Sequence, residues 1–298
     1  MDGAIPYLGE TLALVTAVTW AFAVILFRKS GETVHPVFLN LFKNLLAIGL
    51  FFPTMWIFGE ALARQAPASD YLLLLLSGAL GIGIGDAMFF KSLNQIGAGL
   101  WSIVACLYSP FIIGLSVIQL GESLTLPQIL GALMIISAVL STIHPRRTRK
   151  IVRRDLVPGI IWGVLATTAT AVGIVMIKPL LERSPILWVT EVRLFGGVAV
   201  LILITVFHPS RRRILFSNIS PAAWGYTVAG SFLGAYLAMF FWLAGMKFTQ
   251  ASIAAALNQT SNIFVFIFAA IFLREPITSR RAIAIAFAVA GAFLVYFG

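Results

Sequence analysis

The chain has 298 residues, 60% hydrophobic and only 11% charged, with a formal net charge of +10. Soluble domains carry roughly 45–50% apolar and about 25% charged residues, so no soluble domain fits and the chain reads as a polytopic helical membrane protein. The basic excess would suit nucleic acid by number alone, but its placement in short breaks between apolar runs argues for orientation in a bilayer instead.

A helix needs about 20 apolar residues to cross the hydrocarbon core. Runs of that kind predict spans over residues 8–27, 36–57, 71–93, 98–118, 127–143, 156–177, 185–207, 221–246, 251–273 and 281–297. No basic residue precedes the first run, so it lacks the positive leader of a cleaved signal and is expected to stay in the mature protein. The single cysteine, Cys106, falls within the fourth run, which leaves no partner for an intramolecular disulfide.

The chain says nearly the same thing twice. Each half has a long apolar run closing on a glutamate, Leu120-Gly121-Glu122-Ser123-Leu124-Thr125 in the first and Leu273-Arg274-Glu275-Pro276-Ile277-Thr278 in the second. The match extends back to Met88-Phe89-Phe90 against Met239-Phe240-Phe241, and to Gly9 and Arg28 against Gly159 and Lys178. The reading is therefore a first repeat over 8–143, a basic linker over 144–155 and a second repeat over 156–298. Five spans per repeat, an odd number, invert the second copy, and inverted repeats are how many secondary transporters build two alternative closures around one site.

Charge placement agrees with the inversion. Most of the 21 Lys and Arg residues lie in breaks after odd-numbered spans, among them Arg28, Lys29, Lys91, the linker residues Arg146, Arg147, Arg149, Lys150, Arg153 and Arg154, Arg211 to Arg213, and Arg274, Arg280 and Arg281. The positive-inside rule puts those breaks in the cytoplasm and both termini outside. Equivalent breaks carry unequal charge: Arg64 stands alone between spans 2 and 3 where Arg211, Arg212 and Arg213 lie between spans 7 and 8.

Ionisable groups inside spans are functional candidates by default, because a charge near the bilayer centre costs at least about 2.5–3.5 kcal/mol on insertion scales. Lys43, Asp86, Glu191 and Arg193 are the deep ones. Lys43 lies roughly 10 Å into span 2 and shares a face with Asn40 and Asn44. Asp86 descends from the opposite side in span 3 to nearly the same depth, so a Lys43–Asp86 pair is geometrically allowed, either as a bridge fixing two spans or as part of substrate or proton handling. Arg193 occupies the inverted counterpart of Lys43. Glu191 points to another face, so it needs a different partner, such as Lys178, or a proton of its own; Asp86 and Glu191 are thus the proton-coupling candidates.

Span 9 holds the densest uncharged polar cluster, Asn258-Gln259-Thr260-Ser261-Asn262. It is read as lining for a polar solute, with interhelical hydrogen bonding as the competing account. The corresponding stretch of span 4, Tyr108-Ser109-Pro110, reads as cavity wall or as a helix kink. Gly78, Gly81, Gly83 and Gly85 in span 3, with Gly230 and Gly234 in span 8, suit close helix crossings. Trp20, Trp101, Trp188 and Trp242 are expected deeper than the interfacial Trp56, Tyr71 and Trp224. No paired histidines, nucleophile elbow, aspartyl dyad or phosphate-binding loop is present, so no enzyme activity, metal or cofactor is expected.

These residues resemble a known family. Ala17-Val18-Thr19-Trp20 followed by Arg28, the spacing of Pro36 to Lys43, Tyr108-Ser109-Pro110 and Gly121-Glu122 to Gly131 resemble the EamA domain of the drug/metabolite transporter superfamily, and Pro185 to Arg193 with Glu275 to Gly291 repeat the pattern. Arg274 departs from it, standing where the first copy has a glycine. The resemblance implies an all-α integral membrane protein of ten transmembrane helices, arranged as two inverted five-helix repeats around a central cavity. It also implies export of amino acids or other small metabolites from an inner or plasma membrane.

The expected site combines Lys43, Asp86, Tyr108, Arg193, Asn258, Gln259 and Asn262. The expected partners are a small-molecule substrate, the bilayer and protons, with no nucleic acid, and a monomer suffices. Lipid translocation and a non-transporting scaffold are the alternatives.

Overall fold

The structure is a computed structural model that describes residues 7–120, 125–142, 153–207, 209, 219–248 and 257–297. The first-repeat glutamate signature at 121–124, the linker through residue 152, the Arg211 to Arg213 segment and the start of span 9 lie outside the described residues. Among the described residues every regular element is helical. In chain order they are α1 (Leu8–Ser30), α2 (Pro36–Ile57), α3 (Ala68–Gly78), α4 (Asp86–Ala105), α5 (Tyr108–Leu120), α6 (Leu126–Thr142), α7 (Arg153–Val175), α8 (Lys178–Arg183), α9 (Ile186–Phe207), α10 (Pro221–Ser231), α11 (Met239–Phe248), α12 (Ser261–Phe272) and α13 (Ser279–Phe297).

Local chemistry explains where several begin. Pro36 opens α2 where its missing N–H would be unpaired anyway, and His35 accepts a hydrogen bond from the Val37 amide through Nδ1 at 3.3 Å. Ser220 and Pro221 start α10 in the same way, the serine oxygen accepting from the Ala223 amide at 3.2 Å. α7 begins at Arg153, within the basic stretch of the chain.

Among the described residues five helical stretches are long and apolar enough to cross a membrane: Leu8–Ser30, Pro36–Ile57, Ala68–Ala105, Asp155–Val175 and Ile186–Phe207. Leu126–Ala138 and Leu257–Phe272 are shorter apolar helices. The Ala68–Ala105 stretch contains the break expected between spans 3 and 4. One helix ends at Gly97, whose φ of 78° and ψ of 171° are non-helical and favour glycine, and the next begins at Ala98.

Among the described residues two π-helical segments interrupt otherwise regular helix. Ala79–Gly85 joins α3 to α4, and Phe232–Ala238 joins α10 to α11. The sequence offset that carries Glu122 to Glu275 carries the first segment onto the second, so the repeat extends to an unusual backbone feature. Such widened turns are rare and concentrate at functional sites.

The repeats interleave rather than sit side by side. α1 packs on α10, α11 and α12 of the second repeat, whereas α7 packs on α4, α5 and the first π segment. α9 lies against α2, α3 and that same segment, and the last helix of each repeat, α6 and α13, pair with one another. Glycines bring backbones together at these crossings. A methyl group on Gly78 would lie 1.8 Å from the Arg193 carbonyl oxygen, and one on Gly196 would lie 2.1 Å from the Leu75 carbonyl oxygen. Backbone cannot yield as a side-chain tip can, so Gly78→Ala and Gly196→Ala should each destabilise the protein by about 1–3 kcal/mol. Gly49, whose added methyl meets nothing within 4 Å, provides the neutral control. Thermal unfolding of the purified variants in one detergent measures the difference.

Candidate functional site

The first π segment organises a buried polar chain. Widening the turn disturbs the backbone ladder, and in hydrocarbon every carbonyl so exposed must find a donor within the protein. Asn40 supplies it: its side-chain nitrogen donates to the carbonyls of Ile82 and Gly83, each at 3.0 Å. Asn44 donates to the Asn40 side-chain oxygen at 2.9 Å, and Lys43 Nζ donates to the Asn44 oxygen at 2.8 Å. Lys43 Nζ also lies 2.8 Å from Asp86 Oδ2, at the first residue of α4. The geometrically allowed pair is thus formed, with Lys43 buried and Asp86 about a quarter exposed at 24% of its side chain.

Arg193 approaches from the other repeat. Its Nε donates to Ser77 Oγ at 3.0 Å, and Ser77 passes a hydrogen bond on to the Gly173 carbonyl. Asp86 and Tyr108 lie within electrostatic reach of the guanidinium, and a methyl on Gly81 would sit 3.7 Å from Arg193 Nη2. Lys43, Asp86 and Arg193 therefore gather beside one π segment, contributed by helices of both halves. Glu191 is separate: fully buried, its two carboxyl oxygens have no hydrogen-bond partner among the described residues. The side chain of Lys178, its proposed partner, lies outside the described residues.

Two further breaks meet each other. The helix ending at Ala105 passes through Cys106 and Leu107 before α5 starts at Tyr108, and a short helical turn over residues 257–259 passes through Thr260 before α12. The offset between the glutamate signatures carries Leu107 onto Thr260, so these breaks are repeat counterparts. Asn262 donates to Gln259 Oε1 at 2.9 Å and approaches Cys106 Sγ at 3.4 Å, tying the two breaks together. Asn258 has a buried side-chain oxygen with no partner among the described residues, as does the indole nitrogen of Trp101. Pro110 lies in the first turn of α5, where proline is tolerated, so the chain breaks ahead of it rather than kinking at it.

The amides of Asn258, Gln259 and Asn262 thus sit at one crossing, and the charged groups sit at another. Trp188 is buried in the core. It lies at the start of α9, where its amide donates to Glu60 Oε2 at 3.2 Å and its indole donates to the Leu62 carbonyl at 3.0 Å. Beside it Asp70 accepts from Arg183 Nη2 at 2.9 and 3.0 Å. At the opposite end Glu275 accepts from the amides of Ala98 and Gly99, at 2.9 and 3.1 Å, capping the helix that restarts after Gly97.

Ser77 and the capping role of Glu275 escaped the sequence reading. The recurrence of Glu275 marked the repeat, while Ser77 gave no signal because its partner lies across the repeat boundary. Asn40 and Asn44 were placed on the Lys43 face but not among the site residues.

Interleaved apolar helices with charged and amide groups gathered at their breaks define a multi-pass membrane protein with a polar interior. The EamA-like transporter family profile matches residues 7–143 and again 157–297. The chain belongs to the EamA-like transporter family, within the drug/metabolite transporter superfamily, and is a membrane transporter. It is 26% identical over 289 residues to an "Uncharacterized transporter" of Archaeoglobus fulgidus, covering 95% of this chain and 94% of that one. A second "Uncharacterized transporter", from Methanothermobacter thermautotrophicus, is 25% identical over 301 residues, covering 96% and 85%. A solved crystal structure shares the fold with a TM-score of 0.68 at 20% identity, over 96% of this chain and 95% of that one.

Removing one member of a buried charge pair strands the other, at a cost of about 3–5 kcal/mol, whereas replacing both with apolar groups is often neutral. Lys43→Met should therefore lower thermal stability sharply, and Lys43→Met combined with Asp86→Leu should recover most of the loss. Glu275→Ala should destabilise by about 1.5–3 kcal/mol, since two amides lose a charged acceptor. Glu275→Gln, which keeps one acceptor oxygen, should fall between it and the native protein in the same unfolding assay.

Proposed function

We propose that the protein exports small polar metabolites, amino acids or related compounds, by alternating access in an inner or plasma membrane. It works as a ten-span monomer with both termini outside. Lys43, Asp86, Tyr108, Arg193, Asn258, Gln259 and Asn262 line the path around a central cavity.

The observation that carries this reading is the meeting of Lys43, Asp86 and Arg193 beside the first π segment, drawn from both repeats. Two cations around one carboxylate leave positive charge for an anionic or zwitterionic substrate, because the ammonium and guanidinium both attract a carboxylate. The crossing of the two broken helices at Cys106 and Asn262 supports it further, since discontinuous helices beside the Asn258 oxygen, which has no partner among the described residues, suit a polar solute at mid-membrane. Inverted repeats permit two closures of the same contacts, one toward each side.

Coupling belongs to Asp86 or Glu191. Asp86 is held by Lys43 and is partly exposed, so protonation would release the lysine for substrate. Glu191 has no partner to release among the described residues, so a proton there would change only its own charge.

Counterflow in proteoliposomes, with labelled amino acids and phosphorylated metabolites and with or without an imposed pH gradient, tests the reading. Saturable, competable flux is expected, and it should respond to the gradient. Asp86→Asn should abolish the response to the gradient while leaving counterflow measurable. A response that persists in Asp86→Asn and disappears in Glu191→Gln would transfer the coupling to Glu191. Folded protein that moves none of the labelled compounds would overturn metabolite export and favour lipid translocation.

A further inference from the structure

Away from the central polar groups, a cleft of about 530 Å³ opens between the C-terminal end of α1, the Asn94 to Gly97 turn, the start of α7 and the segment joining α12 to α13. Its volume falls within the range of small-molecule pockets, roughly 300–1,000 Å³. The breaks that form it are those the charge bias assigns to the cytoplasm. Four cations line it, Arg28, Lys29, Arg274 and Arg281, against the carboxylates of Glu32, Asp155 and Glu275. Both oxygens of Glu275 are already held by the Ala98 and Gly99 amides. Arg281 donates to the Pro276 carbonyl, and Lys29 lies over the Tyr226 ring. Among the described residues Arg28 and Arg274 make no ion pair, and they come from different repeats.

Arg274 adds a second, independent observation. Its φ of 52° places it in the left-handed region, where a residue other than glycine costs on the order of 1–2 kcal/mol. The first repeat has Gly121 at the matching position. A strained arginine where glycine would fit freely points to a use for its side chain. Gln95, also on the cleft wall, has a buried side-chain oxygen with no partner among the described residues, an acceptor that lacks a donor.

We propose that this cleft binds a phosphate ester that also carries a hydroxyl group. Guanidinium groups match phosphate oxygens in paired hydrogen bonds, so Arg28 and Arg274 take the phosphate from two sides, and a ligand hydroxyl donates to Gln95. Glu32 and Asp155 keep the cleft from acting as a general sink for anions, because a ligand without two-sided guanidinium contact meets their repulsion. Such a ligand is either a lipid headgroup or a soluble phosphorylated metabolite.

The test is thermal unfolding of the full-length protein in a non-ionic detergent. The probes are glycerol 3-phosphate and short-chain phosphatidylglycerol, with chloride at equal ionic strength and short-chain phosphatidylcholine as references. A rise of several degrees with either probe beyond its reference is expected. A response to glycerol 3-phosphate identifies a soluble ligand, and a response to phosphatidylglycerol alone identifies the lipid. Arg274→Gly relieves the backbone strain while removing the guanidinium, so it should unfold no earlier than the native protein without ligand and lose most of the ligand-induced rise. Arg28→Gln should lose it as well. A rise that the references reproduce, no rise with either probe, or a full rise in Arg274→Gly overturns the proposal. Binding rather than flux is read, so failure here leaves the transport reading standing.

Discussion

Inside a bilayer no water is available to satisfy a backbone amide or carbonyl, so each departure from regular helix must be answered by another part of the protein. Several of the interruptions have such an answer nearby. The widened turn over Ala79–Gly85 is met by Asn40, and the helix that restarts after Gly97 is capped by Glu275. The start of α9 takes Glu60, and the breaks at Cys106–Leu107 and Thr260 are joined through Asn262 and Gln259. The polar groups of this mostly apolar chain are thus concentrated where the helices are not ideal. Those are also the places where the chain can change shape at least expense, because their contacts are discrete and can be exchanged.

The first π segment shows how the obligation shapes a site. Asn40 is held in place by the carbonyls it satisfies, and its remaining oxygen fixes Asn44, which in turn fixes Lys43. The lysine is thereby oriented before it reaches Asp86, at the very residue where regular helix resumes. Backbone irregularity, amide chain and ion pair form one unit. Arg193 is anchored to the same region through Ser77, so the second repeat senses the first through that unit.

Much of this was legible in the sequence, for identifiable reasons. Lys43 and Asp86 were readable as a pair because helical rise converts distance from a span end into depth, and the two depths agree. The separation of Glu191 from Arg193 followed from helical angle, and their surroundings do differ: one bonds Ser77 while the other has no partner among the described residues. The Asn258 to Asn262 cluster stood out because amides are scarce in apolar runs. What stayed hidden depends on contacts between repeats or on backbone geometry. Nothing in a periodic pattern announces that two equivalent stretches widen into π turns. Trp188 is buried, and the sequence could not show that its indole donates to the Leu62 carbonyl between α2 and α3.

The interleaving of α1 with α10, α11 and α12 carries a consequence for biogenesis. The ribosome delivers the first repeat long before the second exists, so α1 enters the membrane with its eventual neighbours still unmade. Lys43 and Asp86 can neutralise one another as soon as both of their helices are inserted, which makes the first repeat tolerable as an orphan. Ser77 must wait for Arg193, and the Ala98 and Gly99 amides must wait for Glu275 near the end of synthesis. The contacts that close last in time are those that join the two halves, and a nascent chain stalled in its second repeat would present quality-control proteases with an intact ion pair inside an open helical scaffold.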